Sequence, residues 1–382
     1  MRYKECLRRR YPLTNAHVVD LRRCSQKVVP RLKRGGKVAG MTQITPKENF
    51  LNVLVNHADP VWTPVMGMDC KTSGFASNWL EKGPVGGGKD GFGVTWEAPA
   101  SGGGAPIPRP GDFMFDFDDM PEWEEYVHFP NLDDMDWRAH AEASLTKNGE
   151  KIDRNTYALS YGIGNGPYER IAALIGFENT LLALAEYPDD TKRLAEAIVD
   201  WKLEQVKYVK KWIDPDIIIN YDDFCTQRSP FFSPEAYREV FLPVNTRYYQ
   251  GIRDQGIIPV QHTCGYATPL VDMIIESGAQ AWASVQPCNP ISDLIDKYGD
   301  RFTFIGGYDT VGPCSLPDAT DEEIAEEAYR CIREYGMRKG YIFFGFRLLN
   351  TTDPVLAARE YGRILNPAIK FTHEWAGVPY EA

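Results

Sequence analysis

At 382 residues, 43% hydrophobic and 12% aromatic, the chain is long and apolar enough to bury a full globular core. A formal net charge of −11 argues against a nucleic-acid partner, and no apolar run reaches the about 20 residues that a membrane-spanning helix needs. The eight cysteines are scattered and no secretory signal opens the chain, so they read as reduced thiols of a cytoplasmic protein, free for metal binding or catalysis.

Residues 1–40 carry 12 Lys/Arg against Glu5 and Asp20, a net of +10, which leaves 30 basic and 51 acidic residues beyond them, a net of −21. This stretch lacks apolar periodicity and is expected to be a disordered basic leader, with one domain over 41–382. Helical spacing at Phe50, Leu51, Leu54 and Val55 predicts a helix over 46–56 that feeds a first strand at 61–66. Residues 68–155 form a Gly/Pro-rich insertion, with "GPVGGGKDGFG" and "SGGGAPIPRPGD" around a short strand at 92–96, and a long loop of this kind is expected to be a lid or binding loop. From 155 onward strands and amphipathic helices alternate, with strands predicted at 156–162, 216–220, 257–262, 280–286, 302–307 and 340–346.

The helix predicted over 321–335 has a Thr320–Glu323 capping box, one apolar face of Ile324, Ala328, Cys331, Ile332 and Tyr335, and Gly336 placed for its end. Another opens at Ser233 as N-cap with Pro234 in the first turn. Eight strands alternating with helices predict an α/β (β/α)8 TIM barrel; an open doubly wound sheet is the alternative.

In a barrel the chemistry sits where strands end. The strand ends collect Trp62, Met66, Tyr161, Tyr221, Asp222, Asp223, Cys225, His262, Cys264, Tyr308 and Phe346, with Phe92, Phe224 and Trp282 near them. Soft metal ligands and carboxylates stand here among many rings, which suggests an apolar, flat substrate bound by Trp62, Met66, Phe92, Tyr161, Phe224, Trp282, Tyr308 and Phe346. His262 and Cys264 are two positions apart, so both side chains point to one side of the strand, and Gly265 allows a tight turn after them. Neighbouring strands lie about 4.8 Å apart, so Cys225 or Asp223 of the preceding strand is within reach as a third ligand of zinc. The ordinary alternative is a buried histidine bonded to a carbonyl, with Cys225 a small packed residue and Asp222 a turn cap.

Three consecutive blocks, "YDDFCTQRSPFFSPEAYREVFLPVNTRYYQ" (221–250), "QHTCGYATPLVDMIIESGAQAWASVQP" (261–287) and "LIDKYGDRFTFIGGYDT" (294–310), resemble the uroporphyrinogen decarboxylase superfamily, over about residues 42–372. That superfamily has the barrel fold, and it includes the haem-pathway decarboxylase and corrinoid-dependent methyltransferases. The arginine-rich stretch with which the decarboxylase holds substrate carboxylates is replaced here by "MGMDCKTSGFASN". The His-x-Cys pair resembles the methyltransferase branch, in which it binds zinc. The third ligand of that branch, a cysteine after the glycine of the last strand, is Phe346 here, and Cys225 stands as its substitute.

The resemblance therefore implies the methyltransferase component of an anaerobic O-demethylase. It would cleave a methyl ether, with a methoxylated aromatic expected, and pass the methyl group to the cobalamin of a separate corrinoid protein. Zinc on His262, Cys264 and Cys225, or an acid among Asp223 and Tyr221, would activate the leaving oxygen. Uroporphyrinogen decarboxylation and non-catalytic tetrapyrrole binding are the other functions weighed. Methylamine, methanol and methyl thiol are the other donors, and a homodimer is left open.

Overall fold

A strand reads as barrel when alternate residues face a shared interior, and the described chain does this repeatedly. The computed structural model describes residues 44–73, 78–84, 86–97, 106–147, 149–348 and 353–380; the basic leader 1–40 lies outside them. In chain order come β1 (Cys70–Ser73), then β2 (Gly88–Lys89), β3 (Thr95–Glu97) and β4 (Ile107–Pro108), and then a small hairpin of β5 (Thr146–Lys147) and β6 (Glu150–Lys151). β7 (Ala158–Ile163), β8 (Ile217–Tyr221), β9 (Ile258–His262), β10 (Ala281–Val285), β11 (Thr303–Gly307) and β12 (Tyr341–Phe344) follow, each but the first reached through helices.

β1 and β7–β12 make one parallel sheet in the order β1-β7-β8-β9-β10-β11-β12. The ring closes through residues 64–66, where Val65 bridges Phe343 of β12 and Met66 bridges Cys70 of β1, both parallel. The architecture is thus the α/β (β/α)8 barrel, with the insertion between β1 and β7.

Its interior is filled by Met66, Cys70, Ala158, Ile217, Ile219, Val260, Ala281, Ala283, Ile305 and Ile342. The helix Pro46–Val55 plugs it with Phe50, Val53 and Leu54. Val55 is exposed and Val53 buried, because the inward stripe follows the barrel floor. Helix Asp321–Tyr335 matches its sequence reading in bounds, capping box and buried face. Ser233 caps the short helix Pro234–Ala236, which runs through a wide turn at Tyr237–Phe241 into helix Leu242–Asp254.

One predicted barrel strand is corrected. The 92–96 segment belongs to the antiparallel sheet β2-β3-β4, where Phe92 and Val94 donate their N–H groups to Asp90 in a turn. The barrel strand is instead β1, "CKTS", too short and polar to give an apolar signal. The insertion is clamped to the barrel by buried charges. Arg170 pairs with Asp90 at 2.7 Å and Glu81 at 3.3 Å, and Lys202 pairs with Glu81 at 3.0 Å and donates to the Gly164 carbonyl. No described helix is long and apolar enough to cross a membrane.

Candidate metal centre

Alternation carries three side chains to the barrel mouth. In β8, Ile217 and Ile219 face inward while Ile218 packs outward, so Tyr221 and then Asp223 continue the inward row. In β9 Val260 faces inward, and His262 and Cys264 follow it. The ligand atoms of Asp223, His262 and Cys264 all lie within 4.8 Å of one another. His262 Nε2 is 3.6 Å from Cys264 Sγ and 3.8 Å from Asp223 Oδ1. A tetrahedral zinc with bonds of about 2.0–2.3 Å sets its ligands about 3.3–3.8 Å apart. Imidazole, thiolate and carboxylate are zinc donors, so this set fits the metal in chemistry and in spacing.

Burial lowers the His262 pKa, which keeps the ring neutral and able to ligate. Burial likewise pushes the Cys264 thiol up, with Asp223 adding to the effect, so the thiolate needs a cation. The Tyr221 ring lies over His262, with centroids 4.2 Å apart, and burial raises its phenol.

Fixed loops hold the cluster in place. Asp223 Oδ1 accepts from the Cys264 N–H at 2.6 Å. Gly265 turns with φ +84°, and a Cβ there would meet the Thr226 carbonyl at 2.4 Å, so only glycine fits. Gln286 accepts from the Gly265 N–H, and Asn289 accepts from the Ala267 and Thr268 N–H groups, which tie the turn to the end of β10. Asp222 accepts from the Tyr168 and Glu169 N–H groups and so caps helix Pro167–Ile175, while burial pushes its pKa up to about 7.

Beside the cluster lies a cavity of about 450 Å³, lined by Trp96, Phe113, Tyr168, Phe177 and Phe231 with Lys82, Glu169 and Asp223. Asp223 belongs to both cavity and cluster. Burial, then the charges of Asp223 and Asp222, push Glu169 up to about 8 against the pull of Lys82. A larger depression of about 640 Å³ lies on the outside, at Asp200, Arg247 and Asp254 of helices Pro188–Trp212 and Leu242–Asp254.

The sequence candidates separate accordingly. His262, Cys264, Asp223 and Tyr221 come together, and Met66 lies in the barrel interior while half-buried Phe346 stacks near Phe344. Cys225 does not join the cluster, because its chain has already turned to bridge Pro230. The other rings pack elsewhere. Trp62 stacks on His373, Phe92 lies under Arg170, and Tyr161 faces outward to His140. Phe224 packs on Tyr237, Trp282 donates to the Thr263 carbonyl on the outer face, and Tyr308 is buried beside Gly345.

Ser284, Glu169 and Lys82 escaped the sequence reading. Ser284 sits at a bulge of β10 with φ +65°, its hydroxyl 3.6 Å from Cys264 Sγ. Its neighbours are small, so no pattern marks it. Lys82 and Glu169 lie off the strand ends, in the insertion and a helix.

The uroporphyrinogen decarboxylase (URO-D) family model matches residues 136–357, more than half of the chain. A methyltransferase from Methanosarcina mazei superposes with a TM-score of 0.56 at 13% identity, over 87% of this chain and 99% of its own. An Old Yellow Enzyme from Pichia sp. AKU4542 gives 0.35 at 11% identity, over 60% of this chain and 66% of its own. A D-psicose 3-epimerase from Clostridium cellulolyticum H10 gives 0.34 at 11% identity, over 66% and 86%. No curated protein matches the chain in sequence. At these identities the first likeness is one of fold, and the other two are too slight to carry an argument.

Proposed function

The chain belongs to the uroporphyrinogen decarboxylase family, and from that premise we propose that it is a methyltransferase that demethylates a methoxylated aromatic. The methyl acceptor is the corrinoid of a separate protein. The reading is carried by one observation: Asp223 is shared between a zinc-fitting ligand cluster and a ring-walled cavity. A methyl donor in that cavity puts its heteroatom beside the cluster.

His262, Cys264 and Asp223 would hold the zinc. A bound zinc supplies Lewis acidity, making an ether oxygen a better leaving group. The residues themselves do the rest. Trp96, Phe113, Phe177 and Phe231 offer the apolar walls that would hold a flat ring. Tyr221 keeps its phenolic proton and packs against His262, which helps hold that ring in place, and the departing oxygen takes up its proton from solvent on release. The product is then a neutral phenol. Decarboxylation of a polycarboxylate fits less well, because among the described residues Lys82 is the one cation lining this cavity and two acids line it as well.

The test is methyl transfer from a panel of methoxyarenes to a reduced corrinoid protein, with zinc measured in the same preparations. The wild type is expected to hold about one zinc and to demethylate a methoxyarene, and His262→Ala and Cys264→Ala to lose both. Activity without metal would overturn the zinc assignment. Activity only with methanol, a methylamine or a methyl thiol would overturn the aromatic donor.

A further inference from the structure

The cavity beside the cluster contains an ammonium that closes no contact with the two acids, Glu169 and Asp223, that also line it. Lys82 is half-buried on its wall, and among the described residues no carboxylate or carbonyl closes an ion pair or hydrogen bond with it. Its charge nevertheless acts inside the site, at Glu169 and His262. A lysine with nothing to bind usually swings into solvent, because its stem is flexible and its ammonium strongly hydrated. Here the insertion holds it at the cavity: Lys82 directly follows Glu81, whose carboxylate is locked by Arg170 and Lys202 and whose carbonyl accepts from Arg170. Tyr168, on the same wall, buries a hydroxyl that likewise has no partner. Much of the remaining wall is rings and prolines, among them Trp96, Pro108, Phe113 and Phe231, with Glu169 and Asp223 as its acids.

We propose that Lys82 reads an anionic substituent on the aromatic ring of the substrate, so that the preferred methyl donor is a methoxylated arene carboxylate rather than a neutral methoxyarene. The proposal rests on the aromatic reading of the site given above and adds its specificity residue. Ring-lined walls accept the flat body, and Asp223 at the cluster end of the cavity fixes where the methoxy group goes. A carboxylate on the ring then meets the Lys82 ammonium, the one cation among the described residues of the lining. A neutral ligand of the same shape leaves that ammonium unpaired and loses a charge-assisted hydrogen bond.

The experiment uses full-length protein without corrinoid, and reads binding of benzoate and of benzamide by quenching of tryptophan fluorescence. Wild type is expected to bind benzoate about tenfold or more tighter than benzamide. Lys82→Met should abolish that ratio and Lys82→Arg should keep most of it. Equal binding of the two ligands by wild type, or an undiminished ratio in Lys82→Met, overturns the proposal. Lys82→Met that fails to fold is replaced by Lys82→Gln, read by the same ratio. The ratio is independent of turnover. Lys82-dependent benzoate binding with no demethylation of 3-methoxybenzoate would uphold the recognition and overturn the methyl-transfer reading, whereas demethylation without the ratio would do the reverse.

Discussion

Burial and strand alternation decide what each side chain at the mouth can do. His262 and Cys264 were legible in the sequence because a spacing of two keeps them on one face. Tyr161 and Trp282 misled because the barrel interior takes Ala158, Ala281 and Ala283, which pushes the large rings of the same strands outward onto helices. The third member of the cluster was legible only as a choice between Asp223 and Cys225, and the turn that takes Cys225 away leaves no mark in the pattern. Asp223→Asn should therefore lower zinc affinity by about 100-fold or more, since weakening even the outer partners of a ligand costs roughly 10–100-fold. Cys225→Ser should leave it unchanged; zinc titration against a chelating dye decides, and the opposite result would restore the cysteine. His140 offers a separate check on burial. Its ring bonds the Tyr161 hydroxyl at 2.9 Å, and desolvation lowers its pKa. As pH falls through about 6.5 the unfolded chain takes up that proton before the folded one, so stability present at higher pH is lost. The melting-temperature advantage of wild type over His140→Gln should shrink between about pH 8 and about pH 5. A constant or growing gap would show that His140 is not held neutral by burial.

Among the elements, the later strands and helices were legible because each has an apolar run or a capped amphipathic stripe. β1 was not, since four residues with one inward side chain in the core carry no period, and the apolar 92–96 took its place in the count. The insertion that holds this segment is fixed by charge rather than by pattern, which is why its position could not be read. Arg170 has its side chain fully buried, with Asp90 fully buried and Glu81 nearly so. Asp90 also accepts the Phe92 and Val94 N–H groups and the Trp96 indole N–H. Removing the guanidinium leaves Asp90 buried without a cation, and breaking a buried pair in this way costs about 3–5 kcal/mol. Arg170→Met should lower the free energy of urea unfolding by that amount and should also loosen the cavity wall at Trp96. A loss below about 1 kcal/mol, the scale of an ordinary substitution, would mean that the clamp is not what fixes the insertion.

For the whole molecule, the question is where the folded unit begins. The sequence contrast between a +10 leader and a −21 body places the change near Met41, and residues 44–382 form one compact unit. The first described helix, Pro46–Val55, belongs to the barrel. Its Phe50, Val53 and Leu54 are fully buried and fill the same interior as Ile217, Val260 and Ile342, and Asn49 accepts the Val61 N–H and donates to the Trp62 carbonyl. A chain beginning at Met41 keeps this plug, and it should melt at the temperature of the full chain and bind the same zinc. One beginning at His57 loses it. Each of the three apolar side chains contributes about 1.5–3 kcal/mol by burial, so their joint loss reaches about 5–9 kcal/mol, comparable with the entire stability of about 5–15 kcal/mol that a domain possesses. The shorter chain should therefore fail to give a cooperative thermal transition by circular dichroism. If it melts cooperatively at the wild-type temperature, the barrel does not need its plug; if the Met41 chain melts several degrees lower, the leader belongs to the fold.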